Sequence, residues 1–339
     1  MQRKTEINGR NIRKILFTKT KLRDIISKTD KKQHKTKQKH NKLEKEAGMA
    51  LVTLKEILKD AVKNNYAVGA YGGSDLISAM SAIRAAEATK TPLIILEEFS
   101  LVYENDRDLE LHFAALNAMA AEAKIPVATI LDHGVSYEDC LKAIKWGCTS
   151  VMFDGSSLPM EENIRITKKV VEVAHAVGVS VEGEIGHVGG DEGGATLEGL
   201  EVNADDYSTP EEAKYFAEQT GVDALAVAIG TVHGTFKGEP KLDIPRLQEI
   251  RKAVGDLPLV LHGGSGLPES EFKKAVENGI NKINIFTSTE KNGAESARKL
   301  LQNEGKYVVT FDQIARAAVD SMQEGIEQHI RMFQTKSIG

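Results

Sequence analysis

From Val52 onward, short apolar runs alternate with amphipathic stretches. The runs lie at 67–71, 93–96, 127–131, 150–153, 180–185, 224–229, 259–261 and 282–285. They are brief and mostly aliphatic, the pattern of parallel strands covered on both faces. Pro258 stands just ahead of the seventh run, where a strand start tolerates it. Between the runs, 74–89 places Leu76, Ile77, Met80, Ile83 and Ala86 on one helical face. Residues 160–176 do the same with Ile164, Ile166, Val170, Val171 and Val173, and 245–254 and 269–278 repeat the theme. Eight strand–helix alternations predict an α/β protein, a closed (β/α)8 TIM barrel rather than an open sheet. A helix over 54–64 precedes the first strand and is placed to plug the barrel floor. A further helix over 313–332 follows the eighth unit, free to pack on the barrel's side or on a partner subunit.

One connection breaks the rhythm. Residues 186–210, after the fifth strand, hold Gly189, Gly190, Gly193, Gly194 and Gly199. A loop of that length in a compact domain is usually functional or disordered, and glycines on both sides give it hinges, which predicts a mobile loop. Length agrees with the pattern: the 339 residues suit one barrel of about 250 residues plus an addition. The addition is residues 1–48, with 16 Lys+Arg against 5 Asp+Glu, a net +11 on a remainder of net −16. Such a segment is expected to be a disordered basic extension, and 49–339 the barrel domain. Its lack of an apolar stretch excludes a secretory signal. A transit peptide, a nucleic-acid arm and an extension upstream of a natural start at Met49 all stay open. The acidic body gives no reason to expect nucleic-acid binding. No apolar run approaches the roughly 18 residues of a membrane helix. Cys140 and Cys148 are too few for a disulfide framework and fit a reducing, cytoplasmic setting.

Barrels of this kind carry their chemistry at the C-terminal ends of the strands. The residues at those ends are Asp132 and His133 after run three, Glu184 in run five, His233 after run six, His262 at the end of run seven, and Asn284 with Thr287 at run eight. A lone histidine is more often structural than a ligand, and His34, His40, His112, His175 and His329 are read that way; His187, in the glycine loop, stays open. His133, His233 and His262 share one predicted rim, and three imidazoles with an open position match a catalytic zinc site. Asp132 is either an orienting group or an acid/base facing the substrate; alternation along the strand points it away from the metal. Gly263-Gly264-Ser265-Gly266, leading into a helix, offers bare N–H groups to an anion, and Gly234 allows close approach. Asp191-Glu192 in the long loop is either a solvated tip or a base delivered by closure.

Taken in order, Leu131-Asp132-His133, Ser150-Val151-Met152-Phe153-Asp154-Gly155-Ser156, Val181-Glu182-Gly183-Glu184-Ile185-Gly186, Gly230-Thr231-Val232-His233-Gly234, Leu261-His262-Gly263-Gly264-Ser265-Gly266 and Lys282-Ile283-Asn284-Ile285 resemble class II, metal-dependent ketose-bisphosphate aldolases. The family includes the fructose-1,6-bisphosphate and tagatose-1,6-bisphosphate enzymes, and the resemblance covers nearly all of the chain after Met49. It implies a lyase of carbohydrate metabolism and glycolysis that cleaves a ketose phosphate to dihydroxyacetone phosphate and an aldehyde such as glyceraldehyde 3-phosphate. By that resemblance His133, His233 and His262 hold Zn2+, one ion per subunit, and Glu184 approaches the ion. Asp132 handles the C4 hydroxyl proton, and Glu192 takes a proton from dihydroxyacetone phosphate. Gly234, Gly263, Ser265, Asn284 and Thr287 contact phosphate and enediolate. A monovalent cation, Na+ or K+, near the phosphate and a homodimer or homotetramer are also implied.

Three positions depart from the family pattern. Gly72 stands where an asparagine is usual, Glu98 where Ser or Thr is common, and Phe286 where a small or polar residue is common. The expectation is a familiar donor with an unusual acceptor aldehyde. The alternatives are a metal- and sugar-phosphate-binding barrel that has lost activity, and a Schiff-base aldolase. Lys282, at the start of its run, stands at the wrong end of the strand for the latter.

Overall fold

The computed structural model describes residues 50–99, 106–190, 203–234, 236–302 and 308–338. The basic extension at 1–48 lies outside the described residues, as do Asp191 and Glu192. Eight parallel strands close on themselves in chain order. They are β1 Val68–Gly72, β2 Leu93–Glu97, β3 Val127–Gly134, β4 Ser150–Phe153, β5 Ser180–Ile185, β6 Ala224–Val227, β7 Leu259–Leu261 and β8 Ile280–Ile285. The helices are α1 Leu54–Asn64, α2 Leu76–Thr89, α3 Asp106–Ala121, α4 Tyr137–Lys145, α5 Met160–Ala176, α6 Pro210–Thr220, α7 Ile244–Val254, α8 Glu269–Glu277, α9 Thr287–Gln302 and α10 Phe311–Met332. The expected barrel is present, with boundaries within two or three residues of those read from apolar periodicity. None of the described helices is long and apolar enough to cross a membrane.

Strand alternation divides the apolar residues into two cores. Inward-facing Val68, Ala70, Ile94, Leu96, Ala128, Ile130, Met152, Ala224, Ala226 and Val260 pack with Leu54, Ile57, Leu58 and Ala61 of α1. Outward-facing Leu93, Ile95, Leu131, Val151, Val181, Leu225, Leu261 and Ile283 pack under the surrounding helices. The helix α1 is therefore the floor plug its position suggested. A capping box between Thr53 and Glu56 starts it. Two further N–H groups of its first turn, which no helix can satisfy internally, donate to strand side chains: Leu54 N to Ser150 Oγ at 2.8 Å and Lys55 N to Ser180 Oγ at 3.2 Å. The small serines that open β4 and β5 thus anchor the plug.

Apolar residues fill only the lower interior. Higher up, the inward positions of β5 and β8 carry Glu182, Glu184, Lys282 and Asn284, all buried. That change of character along the barrel axis separates the stable base from the reactive mouth.

The terminal helix α10 packs on the barrel's side against α2 and α9. Ser81 Oγ lies 3.8 Å from Met322 Sδ, and Gly293 of α9 leaves room for the Met322 side chain. His329 lies among Tyr71, Phe272 and Phe333, with ring centroids 6.2, 6.1 and 5.8 Å away. Burial pulls its pKa down to about 4.

Two outcomes are expected. Leu58→Ala removes a fully buried plug residue; it should cost about 2–5 kcal/mol in urea unfolding. His329 stays neutral in the fold until pH falls to about 4, whereas the unfolded chain takes up its proton near pH 6.5. Its contribution is therefore complete above pH 6.5 and lost as pH falls toward 4, by roughly 3 kcal/mol at most. Stability–pH curves of His329→Phe should be correspondingly shallower across that window.

Candidate active site

The side chains at the strand ends converge. Ligand-capable atoms of His133, His233 and His262 all lie within 4.8 Å of one another. Ring centroids are 4.9 Å apart for His133–His233, 4.7 Å for His133–His262 and 6.0 Å for His233–His262. His133 is the penultimate residue of β3, His262 follows β7, and His233 sits in the loop after β6, where its backbone N–H donates to Gly189 O at 2.8 Å.

Asp132 corrects one expectation. Alternation was to turn it away from His133, but β3 shifts register between Leu131 and Gly134, and His133 has φ 46°. That left-handed residue cancels the alternation, so both side chains face inward. Asp132 Oδ2 is 3.9 Å from His133 Nε2. Its carboxylate accepts from Asn284 Nδ2 at 3.0 and 3.3 Å, which holds it over the site from across the barrel.

Each of two imidazoles is oriented by a carboxylate behind it. His133 Nδ1 donates to Asp154 Oδ2 at 2.8 Å. His262 Nε2 donates to Glu182 Oε1 at 2.9 Å. These partners leave His133 Nε2 and His262 Nδ1, 3.0 Å apart, as the nitrogens that carry lone pairs into the site. Two such lone pairs face each other comfortably only with a cation between them. Ligand nitrogens on a tetrahedral zinc, about 2.0–2.1 Å from the ion, stand roughly 3.3 Å apart, so the spacing fits. Glu184 fits as well. Its Oε2 is buried, accepts no hydrogen bond among the described residues, and lies 3.5 Å from His262 Nδ1. Burial, then the nearby Asp154 charge, pushes its carboxyl well above the usual carboxylate range. A carboxylate in that position needs a positive charge.

Below the histidines lies a pair the strand-end reading passed over. Lys282 Nζ donates to both oxygens of Glu182, at 2.9 and 2.7 Å, with both side chains fully buried. Burial opposes ionisation of Glu182, yet the Lys282 ammonium and the His262 ring hold its pKa down to about 2. Lys282 is not at the foot of its strand, because β8 starts two residues earlier, at Ile280. Both members were legible in principle. Glu182 is two residues before Glu184, and Lys282 two before Asn284, which puts each on the same face of its strand. Asp154 was quoted within a motif but given no role.

The glycine-rich loop after β7 is held closely by its neighbours. Gly263 has φ 63°, and a Cβ there would lie 2.5 Å from Val232 O, so only glycine lets the β7 loop approach the β6 loop. Gly264 N donates to Asn284 O at 3.1 Å. Ser265 Oγ accepts from Ser288 N at 3.2 Å, which draws this loop to the first turn of α9, where Thr287 is the first residue. Gly234 directly follows His233. The other described histidines have structural settings: His112 Nε2 is 2.8 Å from Gly73 O and His175 Nε2 is 2.8 Å from Asp223 Oδ2. His187 lines the cavity of about 240 Å³ beside the site, with Nδ1 3.4 Å from Ser156 Oγ. Cys140 and Cys148 are free and buried.

Fold and site together define a metal-dependent lyase barrel: a (β/α)8 frame with a His/Asp/Glu cluster able to hold a divalent ion such as Zn2+ beside a glycine-rich loop. Residues 52–337 match the family model described as fructose-bisphosphate aldolase class-II. The chain is 40% identical over 290 residues to the fructose-bisphosphate aldolase of Staphylococcus epidermidis, covering 85% of this chain and 99% of that one. A probable fructose-bisphosphate aldolase of Bacillus subtilis is 43% identical over 256 residues, 75% of this chain and 87% of that one. The crystal structure of the YdjI aldolase from Escherichia coli K12 superposes with a TM-score of 0.73 at 33% identity, covering 84% of this chain and 98% of that one. The chain belongs to the class II fructose-bisphosphate aldolase family, and its reaction class is aldol cleavage of a phosphorylated ketose.

The buried pair yields a prediction. Lys282→Met strands the Glu182 carboxylate and should cost about 3–5 kcal/mol by chemical unfolding. Glu182→Gln should weaken zinc binding about 10–100-fold in competition with a chelating dye, because a neutral amide oxygen orients His262 less strongly than the carboxylate and lowers the ring's basicity.

Proposed function

We propose that this protein reversibly cleaves a ketose phosphate, fructose-1,6-bisphosphate or a related ketose bisphosphate, to dihydroxyacetone phosphate and an aldehyde. The observation that carries the reading is the pair of facing nitrogens of His133 and His262, each fixed by a carboxylate behind it, with His233 closing the third side. His133, His233 and His262 would hold the ion, with Glu184 close enough to take part. A divalent ion bound there supplies Lewis-acid stabilisation of the negative charge that develops on the donor's oxygens.

The protein's own groups do the rest. Asp132, held by Asn284, takes the C4 hydroxyl proton during cleavage and returns it to the aldehyde oxygen in the reverse direction. Glu192 serves as the base toward the hydroxymethyl carbon of dihydroxyacetone phosphate. The N–H groups around Gly234, Gly263 and Ser265, with Thr287 at the start of α9, bind the donor phosphate. Asn284 spans the acid/base group and this phosphate side. A monovalent cation, Na+ or K+, beside the phosphate, a homodimer or homotetramer, a cytoplasmic location, and a barrel domain beginning near residue 49 complete the proposal.

The test is a cleavage assay over ketose mono- and bisphosphates. Activity should vanish with EDTA, return with Zn2+, and survive borohydride in the presence of substrate. Asp132→Asn should lower kcat by about 10²–10⁴-fold with little change in zinc content. Full activity in EDTA, or irreversible trapping by borohydride, would refute the reading.

A further inference from the structure

We infer that Asn163 is a positioning residue for the reaction: its side-chain amide fixes the backbone of Glu184, and through it the carboxylate that faces the imidazoles. The inference rests on the lyase reading above and deepens it.

The seams between strands close in different ways at the mouth of the barrel. Where β8 meets β1, hydrocarbon closes the gap: a Cβ built on Gly72 would lie 2.4 Å from Phe286 Cδ2. Where β4 meets β5, the closure is polar. The last paired residues there are Phe153 and Gly183. The strand β4 stops at Phe153, and the chain turns toward β3, with Asp154 N donating to Gly134 O at 2.9 Å. The strand β5 runs on through Glu184 to Ile185. Glu184 therefore stands past the end of its β4 ladder, and a buried carbonyl in such a place needs a donor from elsewhere.

Asn163 supplies it. It lies near the start of α5, and its Nδ2 donates to Glu184 O at 2.9 Å. One turn further on, Thr167 Oγ1 donates to Asn163 Oδ1 at 3.0 Å. The two bonds fix the sense of the amide, because a reversed amide would set its oxygen against the Glu184 carbonyl. Both side chains are buried, on a helix face otherwise given to Ile164, Val170, Val171 and Ala174. An amide is costly to bury in an apolar layer unless its bonds are made. Hydrocarbon would fill the same space but would lack the donor. Gly155 makes room for the amide, since a Cβ there would lie 2.4 Å from Asn163 Oδ1. On the other side of β5, Ser208 has a corresponding task. The strand β6 ends at Val227, level with Ile185. Ser208 Oγ, fully buried, donates to Ile185 O at 2.7 Å and accepts from Ala228 N at 2.9 Å. Side chains thus hold the backbone of 184–185 from both flanks.

The carboxylate that hangs from this backbone is the one the site needs. Glu184 Oε2 is buried, accepts no hydrogen bond among the described residues, and lies 3.5 Å from His262 Nδ1. With no hydrogen bond on that oxygen, its place is set by the backbone beneath it. Without Asn163, the end of β5 loses its fixed point on the β4 side, and the approach of Glu184 to an ion at the histidines spreads over several geometries.

The test is a double-mutant cycle on zinc affinity, measured with the full chain by competition with a chelating dye. Asn163→Leu keeps the bulk of the side chain and removes the donor. Alone it should weaken zinc binding about tenfold, the scale expected when an outer partner of a metal site is lost. In a Glu184→Gln background, itself weakened, the same change should cost less than about twofold, because the effect passes through Glu184. Asn163→Ala carries the same expectation and serves if leucine disturbs folding. The visible absorption of cobalt-loaded protein gives a second readout: the Asn163→Leu spectrum should move toward that of Glu184→Gln. Unchanged zinc affinity in the Asn163 variants overturns the inference. So does an equal loss in both backgrounds, or a Glu184→Gln protein that binds zinc as tightly as the wild type. Deuterium exchange at the hydroxymethyl carbon of dihydroxyacetone phosphate, in the zinc-loaded wild type with no aldehyde present, tests the lyase reading separately. Its absence sinks that reading, while the zinc cycle alone decides the role of Asn163.

Discussion

A carboxylate and an ammonium without access to water sit beneath His262, and the upper half of the barrel depends on keeping them together. Glu182 could not stay ionised there alone; Lys282 and the ring of His262 hold its charge in place. The ion pair is costly to bury, and well-packed apolar residues would serve stability as well or better. What hydrocarbon cannot do is accept a hydrogen bond from His262 Nε2 and so turn Nδ1 toward the other imidazoles. The pair's place in the structure is explained by the orientation it imposes, and the apolar plug below supplies the stability that tolerates it.

This division runs along the barrel axis. At the base, α1 fills the interior with Leu54, Ile57, Leu58 and Ala61 and is pinned by two serine hydroxyls. At the mouth, the inward positions become Glu182, Glu184, Lys282, Asn284 and Asp132. Burial in the rigid upper interior raises the stakes of every polar contact, since a group without its partner costs more there than at the surface. Glu184 is the clearest case: burial, then the nearby Asp154 charge, makes its carboxyl resist ionisation.

Much of this was legible in the chain. Eight short apolar runs mark the eight strands because parallel strands covered on both faces need continuous hydrocarbon. The three histidines stood out because they fall at strand ends, where this fold does its chemistry. The legible part ended where geometry departs from periodicity. The positive φ of His133 reverses the facing of Asp132, and no residue type in the stretch announces it. Lys282 looked misplaced because β8 opens with Ile280 and Asn281, which break the apolar run and hide where the strand begins. Contacts between distant positions, such as Asp132 with Asn284, emerge only on closure of the barrel.

The contact between Gly72 and Phe286 couples two distant positions of the chain. With a side chain at 72, the phenylalanine has nowhere to sit; with the phenylalanine present, nothing larger than glycine is admitted at 72. Any side chain gained at 72 would require the ring of Phe286 to move or be replaced. The two positions are therefore coupled, and the tolerance of either to substitution depends on the residue at the other.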